Sequence, residues 1–186
     1  AYAAGTEVPR DPARYEAILR SLVAKGNASA MLQLGRVYFG RGTADGQQRA
    51  IALLQRSAQL GQSTALVDLG RAYASGAGVP VDPVRANYYF QSAALAGNPD
   101  GMLEYARSLA VGFGTAENLT AAAQWYLRVA EMGVPQGMIN YAYAAARGEG
   151  IAQSFAVARQ WVERAAATGD AEGLYWLAVY KLEGYG

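Results

Sequence analysis

Apolar and small residues recur at three- and four-residue intervals along nearly the whole chain, the spacing that lines one face of an α-helix. The stripe restarts after each of five glycines, Gly26, Gly61, Gly97, Gly133 and Gly169, which stand 35, 36, 36 and 36 residues apart. Counted from each glycine, offsets 4, 5, 8, 9 and 12 carry the stripe, as in Ala65, Leu66, Leu69, Gly70 and Tyr73. Leu34-Gly35, Leu69-Gly70, Tyr105-Ala106, Tyr141-Ala142 and Leu177-Ala178 hold offsets 8 and 9. This segment is helix A of a repeating unit.

A second helix, B, closes each unit. Its clearest copy opens at Asp82-Pro83, an N-cap acceptor followed by proline at the first helical position, and ends at Gly97. Ala50, Ala86, Ala122 and Ala158 sit eleven residues before the closing glycine, and Leu53, Tyr89, Trp125 and Trp161 eight before it. Between the helices lies a Gly-x-Gly turn: Gly40-Arg-Gly42, Gly76-Ala-Gly78, Gly112-Phe-Gly114, Gly148-Glu-Gly150 and Gly184-Tyr-Gly186. Both sets of glycines suit the left-handed position that terminates a helix.

These marks predict an all-α chain, an α/α superhelical solenoid of antiparallel helix pairs with a period of about 36 residues. The units are residues 27–61, 62–97, 98–133 and 134–169, after an extension (1–10) and a lone helix B (11–26), with a partial repeat at 170–186, all within one solenoid domain. No unit buries its stripe alone; its neighbours complete the core. A start and an end in mid-repeat suggest a piece excised from a longer array, with capping by the lone helices as the other option. The excised piece is favoured because Leu174 and Leu177 would lack a following helix.

Composition narrows the chemistry. The net charge is +1 with acids and bases interspersed, which gives no field for nucleic acid or an anionic membrane. With neither cysteine nor histidine, the commonest metal ligands, the usual general base and thiol nucleophiles are all missing. No enzyme, metal or cofactor is therefore expected in this segment. No stretch is long and apolar enough to cross a bilayer, and AYAAGTEVPRDP lacks the regions of a signal peptide. Fourteen of the sixteen basic residues are arginine, which with the abundant alanine and glycine suggests a GC-rich bacterial genome.

The run Leu69-Gly-Arg-Ala-Tyr73, Gly76-Ala-Gly-Val79, Asp82, Arg85-Ala86, Tyr89-Phe90, Ala93-Ala94 and Gly97 resembles the Sel-one-like repeat family, relatives of tetratricopeptide repeats. The likeness covers nearly everything after residue 10. Copies depart from it locally: the first is one residue short before Gly40, the third has Leu109-Ala110 where tyrosine is usual, and the fourth has Ala145. The resemblance implies an adaptor, in bacteria often in the periplasm or cell envelope, serving signalling, exopolysaccharide export or host contact.

Offsets 3, 7, 10 and 14 of helix A form a second stripe, which in tetratricopeptide-like geometry lines the concave face. Offset 7 holds Gln33, Asp68, Glu104, Asn140 and Trp176; offset 10 holds Arg36, Arg71, Arg107, Tyr143 and Val179; Arg147 stands at offset 14. One reading is a polar groove in which arginine forks grip carboxylates or carbonyls of a peptide, with Tyr143 and Trp176 as anchors. The other is a solvated ladder of ion pairs between rungs, each worth about 0–1 kcal/mol.

The expected function is thus a scaffold that binds a protein or peptide partner along its groove. A polysaccharide-binding or polysaccharide-modifying envelope module, a host-interacting virulence factor and a plain spacer are the alternatives. Other signals fall to structural explanations. The Gly-x-Gly turns recur without the Lys-Ser/Thr or preceding strand of a phosphate loop. Trp125-Tyr126 and Trp161 hold fixed repeat positions, as core residues do. No spacing singles out a catalytic pair among Asp100, Glu104, Glu149 and Glu172. Ser21-Leu-Val-Ala-Lys25 has one residue too many for Ser-x-x-Lys.

Overall fold

A computed structural model describes residues 11–184. Among them are ten α-helices: α1 (Pro12–Ala24), α2 (Ala28–Gly40), α3 (Ala44–Gln59), α4 (Ser63–Ser75), α5 (Pro83–Leu95), α6 (Pro99–Val111), α7 (Leu119–Glu131), α8 (Pro135–Arg147), α9 (Phe155–Ala167) and α10 (Ala171–Glu183). The even-numbered helices are A helices and the odd-numbered ones B helices. The extension 1–10 and the final Tyr185-Gly186 lie outside the described residues. The chain falls into two compact units, Ala1–Val81 and Asp82–Gly186.

Local chemistry starts and stops each helix. Side chains of Asp11, Asn27, Thr43, Asp82, Asn98, Asn118, Ser154 and Asp170 accept a hydrogen bond from the backbone N–H three residues on. Each such cap is worth about 1 kcal/mol over alanine. Pro12, Pro83, Pro99 and Pro135 occupy first-turn positions that need no N–H. The left-handed stops also form: Gly76, Gly112, Gly148 and Gly184 end helices α4, α6, α8 and α10.

The first Gly-x-Gly turn is the exception. Gly40 is the last residue of α2, and the left-handed residue is Gly42, at φ +66°. The missing residue therefore does not shorten α2, which has the usual 13 residues. It comes out of the turn, which is residues 41–43 here and 112–118 or 148–154 later. The following helix, α3, starts early and runs for 16 residues.

The core of each unit follows the stripe. In the first, Leu19, Leu34, Tyr38 and Ala50 are buried together, with Tyr15, Val37 and Leu53 packed around them. In the second, Ala94, Met102, Leu103 and Val129 form one cluster, and Ala142, Ala145, Ala158, Val162 and Tyr180 another. Where the first unit pairs Leu34 with Leu53 at the equivalent positions, the second sets Tyr105 edge-on to Trp125 and Tyr141 edge-on to Trp161, each with centroids 5.7 Å apart. Edge-to-face geometry suits the ring quadrupoles. Arg128 and Arg164 lie 4.9 and 4.1 Å from the centroids of these tryptophans, so the rings are engaged within the protein.

The two units place their closest helix approach differently. Offset 4 is Ala30 and Ala65 in the first but Gly101, Gly137 and Gly173 in the second; offset 9 is Gly35 and Gly70, then Ala106, Ala142 and Ala178. A Cβ on Gly35 would stand 3.3 Å from Leu54 in the B helix that follows it. A Cβ on Gly137 would stand 2.7 Å from both the Ala130 nitrogen and Val129 Cβ in the B helix before it. The tight contact has moved from one neighbour to the other.

One buried charge stands in the first unit. Glu16, 6% exposed, lies 2.6 Å from Arg20 Nη2 and also pairs with Arg41, whose guanidinium stacks 5.2 Å from the Tyr38 centroid. Two arginines offset the cost of burying one carboxylate. On α10, Leu174 and Tyr175 are exposed, whereas Leu177 packs against the cluster around Ala158.

Candidate functional site

Successive A helices leave cavities between them, and each cavity sits at the same register of the repeat. In the first unit a cavity of about 360 Å³ lies between α2 and α4, bordered by Arg36, Phe39, Gln47, Asp68, Arg71 and Ser75. In the second unit one of about 230 Å³ lies between α6 and α8, bordered by Val111, Leu119, Tyr126, Asn140, Tyr143 and Glu149. Another, of about 480 Å³, lies between α8 and α10, with Asn140, Tyr143, Arg147, Phe155, Glu172, Trp176 and Val179 on its walls.

Nine of the ten residues expected from the sequence to meet a partner can be placed relative to these cavities or to one another. Arg36 and Asp68 form a bidentate pair from α2 to α4, Nε to Oδ2 at 2.7 Å and Nη2 to Oδ1 at 3.3 Å. These two residues realise the ladder of ion pairs, and the fork is occupied by an internal carboxylate. Arg71 lies on the same cavity wall, with Ser75 Oγ donating to its carbonyl oxygen at 2.8 Å. Gln33 is exposed but borders none of the three cavities. Arg107 approaches Glu104 on its own helix, at 3.6 Å, and neither borders any of these three cavities.

The remaining four, Asn140, Tyr143, Arg147 and Trp176, come together in the cavity between α8 and α10. Tyr143 is 50% exposed, and Arg147 stacks 5.3 Å from its ring centroid. Arg147 Nε also donates to Glu149 Oε1 at 2.6 Å, a bond that raises the guanidinium pKa further. Arg147 is therefore held by a carboxylate of its own chain. Gln136 Nε2 donates to Asn140 Oδ1 at 3.3 Å, while Asn140 Nδ2 is buried without a hydrogen-bond partner. Trp176 packs its inner side against the cores around Ala142 and Met138. Glu172, one turn before Trp176 on α10, has no ion-pair partner among the described residues.

Sequence reasoning confined the surface to helix A and missed a contribution from helix B. In the three repeats whose B helix borders a cavity, a bordering residue stands fourteen before the closing glycine: Gln47, Leu119 and Phe155. Its signal was a single periodic position at the start of helix B, outside any helical stripe. In the smaller cavity, burial raises the pKa of the Tyr126 phenol above its ordinary value, with Arg107 opposing and Glu104 and Glu149 reinforcing the shift. Among the described residues no three His, Cys, Asp or Glu stand together as a metal site, and no helix is long and apolar enough to cross a membrane.

Repeated antiparallel helix pairs with cavities between successive A helices define an all-α repeat protein of the α/α solenoid class. The Sel1 repeat model matches at residues 28–62, 63–98, 99–134 and 135–170, and the chain belongs to the Sel1 repeat family. Repeats of this family commonly act as protein-interaction scaffolds and are generally non-catalytic. Among solved structures, the chain is similar to a protective antigen of uropathogenic Escherichia coli strains that displays an SLR fold (TM-score 0.82, 27% identity over 92% of this chain). It spans 37% of that protein's length. It also shares its fold with a Sel1 repeat protein from Oxalobacter formigenes (TM-score 0.79, 22% identity), covering 92% of this chain and 69% of that one. Comparison with curated proteins gave no match.

Proposed function

We propose that the chain is a protein-interaction scaffold that engages its partner on the A-helix side, within the cavities between successive A helices. The observation that carries this is the shared register: the same two positions of helix A, offsets 7 and 10, present Asp68 and Arg71, then Asn140 and Tyr143, then Trp176 and Val179. A constant frame with varied side chains lets a repeat protein read different features of one partner. The same proposal sets the scaffold in a bacterial cell envelope, in signalling, exopolysaccharide export or host contact, in keeping with the family resemblance. A glycan partner is less well supported, because Trp125 and Trp161 are engaged by tyrosine edges and arginines.

Site-specific photo-crosslinking tests the surface. The amino acid p-benzoylphenylalanine in place of Arg71 or Tyr143 should capture a discrete protein in the expressing cell. The same probe in place of Tyr88, on the exposed side of α5, should not. Capture from position 88 alone would overturn the assignment, and fractionation of the tagged chain checks the compartment.

A further inference from the structure

The cavity between α8 and α10 carries more specific information than the others. Its volume, about 480 Å³, is that of a small-ligand site and holds one large side chain with room for its backbone. The wall is mainly hydrocarbon and aromatic: Ile139, Ala142 and Val162 behind, Tyr143, Trp176 and Val179 in front. A sugar ring buried there would lose water from its hydroxyls without gaining enough partners. An apolar side chain has no such loss.

Two polar features are left over. Asn140 Nδ2 is buried without an acceptor, a state a native structure rarely leaves uncompensated. Glu172 stands on the cavity wall without a cation, while Arg147, the nearby positive group, is already bonded to Glu149. Of the two charged residues on this wall, Arg147 is held by Glu149, which leaves Glu172 as the one without an ion-pair partner among the described residues.

We infer that this cavity receives an extended peptide that inserts one bulky apolar side chain between Tyr143 and Trp176 and sets an adjacent lysine or arginine against Glu172. Asn140 turns its amide to donate to a main-chain carbonyl beside the anchor. The inference rests on the scaffold reading above and adds the chemistry of the ligand to it. It also states a polarity opposite to the arginine-grips-carboxylate groove expected from the sequence.

The experiment uses fluorescein-labelled nine-residue peptides in a Gly/Ser frame with Lys-Trp-Lys, Lys-Ala-Lys or Glu-Trp-Glu at the centre, titrated by fluorescence anisotropy. Chitohexaose and cellohexaose are the glycan probes. Removing the tryptophan should weaken binding about tenfold or more, the worth of one buried aromatic side chain. Exchanging lysine for glutamate should weaken it about fivefold. Glu172→Gln, at an exposed position, should erase the preference for lysine over glutamate while keeping the preference for tryptophan. Tyr143→Ser, also exposed, should lower affinity for every tryptophan peptide with the helical circular dichroism unchanged. Equal or tighter binding of Glu-Trp-Glu overturns the inference, as does a lysine preference that survives in Glu172→Gln. Oligosaccharide binding that depends on Tyr143, with silent peptides, replaces the peptide by a glycan. If no peptide binds yet a crosslinker at position 71 captures a protein, this inference falls and the scaffold stands. Crosslinkers silent at both 71 and 143 remove the scaffold reading itself.

Discussion

The cavity between α2 and α4 and the one between α8 and α10 occupy one register of the repeat and have different chemistry. The first is closed by an internal ion pair, Arg36 to Asp68, with Arg71 and Gln47 beside it. The second presents Tyr143, Trp176 and Phe155, with a carboxylate that has no cation. The backbone makes the space and a handful of side chains decide its use.

The largest expected effect comes from breaking the shared frame. Gly150, at φ +77°, lets the turn after α8 press on the start of α7, where an added Cβ would overlap the Leu119 carbonyl. Gly150→Ala should cost about 3 kcal/mol, combining the left-handed penalty with overpacking. Gly133→Ala, at φ +83° in open space, should lose only about 1 kcal/mol. Urea unfolding of the two variants measures the difference; equal losses would mean that the turn contact contributes nothing.

Next come the exchanged small residues. Gly137→Ala forces a methyl against the backbone nitrogen of Ala130 and should cost about 2 kcal/mol even though alanine favours helix. Gly35→Ala meets only Leu54 side-chain atoms and the Ala50 carbonyl oxygen at 3.3–3.4 Å. There the gain in helix propensity, about 1 kcal/mol, should nearly cancel the crowding. Losses of similar size in both units would contradict the shift in closest approach.

Smaller still is the ion pair that occupies the first cavity. Asp68→Asn should cost about 1 kcal/mol, at the upper end for an accessible pair because the fork is bidentate and Asp68 is mostly buried. Asp45→Asn, breaking the exposed pair with Arg49 on α3, should cost about 0.3–0.5 kcal/mol. Raising the salt concentration should shrink both losses, the second more completely.

Much of this molecule was legible in its residues, for physical reasons that differ from place to place. Helix boundaries could be read because Asp-Pro and Asn-Pro starts and glycine stops act locally. The first turn was misread because a deletion in a turn and one in a helix give the same spacing, and only the position of Gly42 separates them. Glu16 carries no sequence sign of burial, since its arginine partners stand 4 and 25 residues away. At the candidate site, the offset rule found Asn140, Tyr143, Arg147 and Trp176. It also selected Arg36 and Asp68, because a fork open to a partner and one closed on a neighbouring helix have the same sequence. Phe155 escaped because its signal is a single periodic position at the start of helix B, outside the helix A stripe.

The smallest effect concerns the cavity of intermediate chemistry, between α6 and α8. Seven residues before the closing glycine stand Tyr126 on the wall of this cavity and Val162 on that of the next. Burial raises the folded-state pKa of the Tyr126 phenol above the value near 10 of an unfolded tyrosine. Folding thus favours the protonated form, and this contribution is fully present below about pH 10 and lost as pH rises through the folded value. Tyr126→Phe should leave a constant difference from the parent below pH 9 or so and flatten the alkaline fall in stability above about pH 10. Tyrosinate absorbance should show one late-titrating phenol missing from the variant. An unchanged alkaline slope would mean that the Tyr126 hydroxyl reaches water through the cavity mouth, making this cavity more open than the aromatic one beside it.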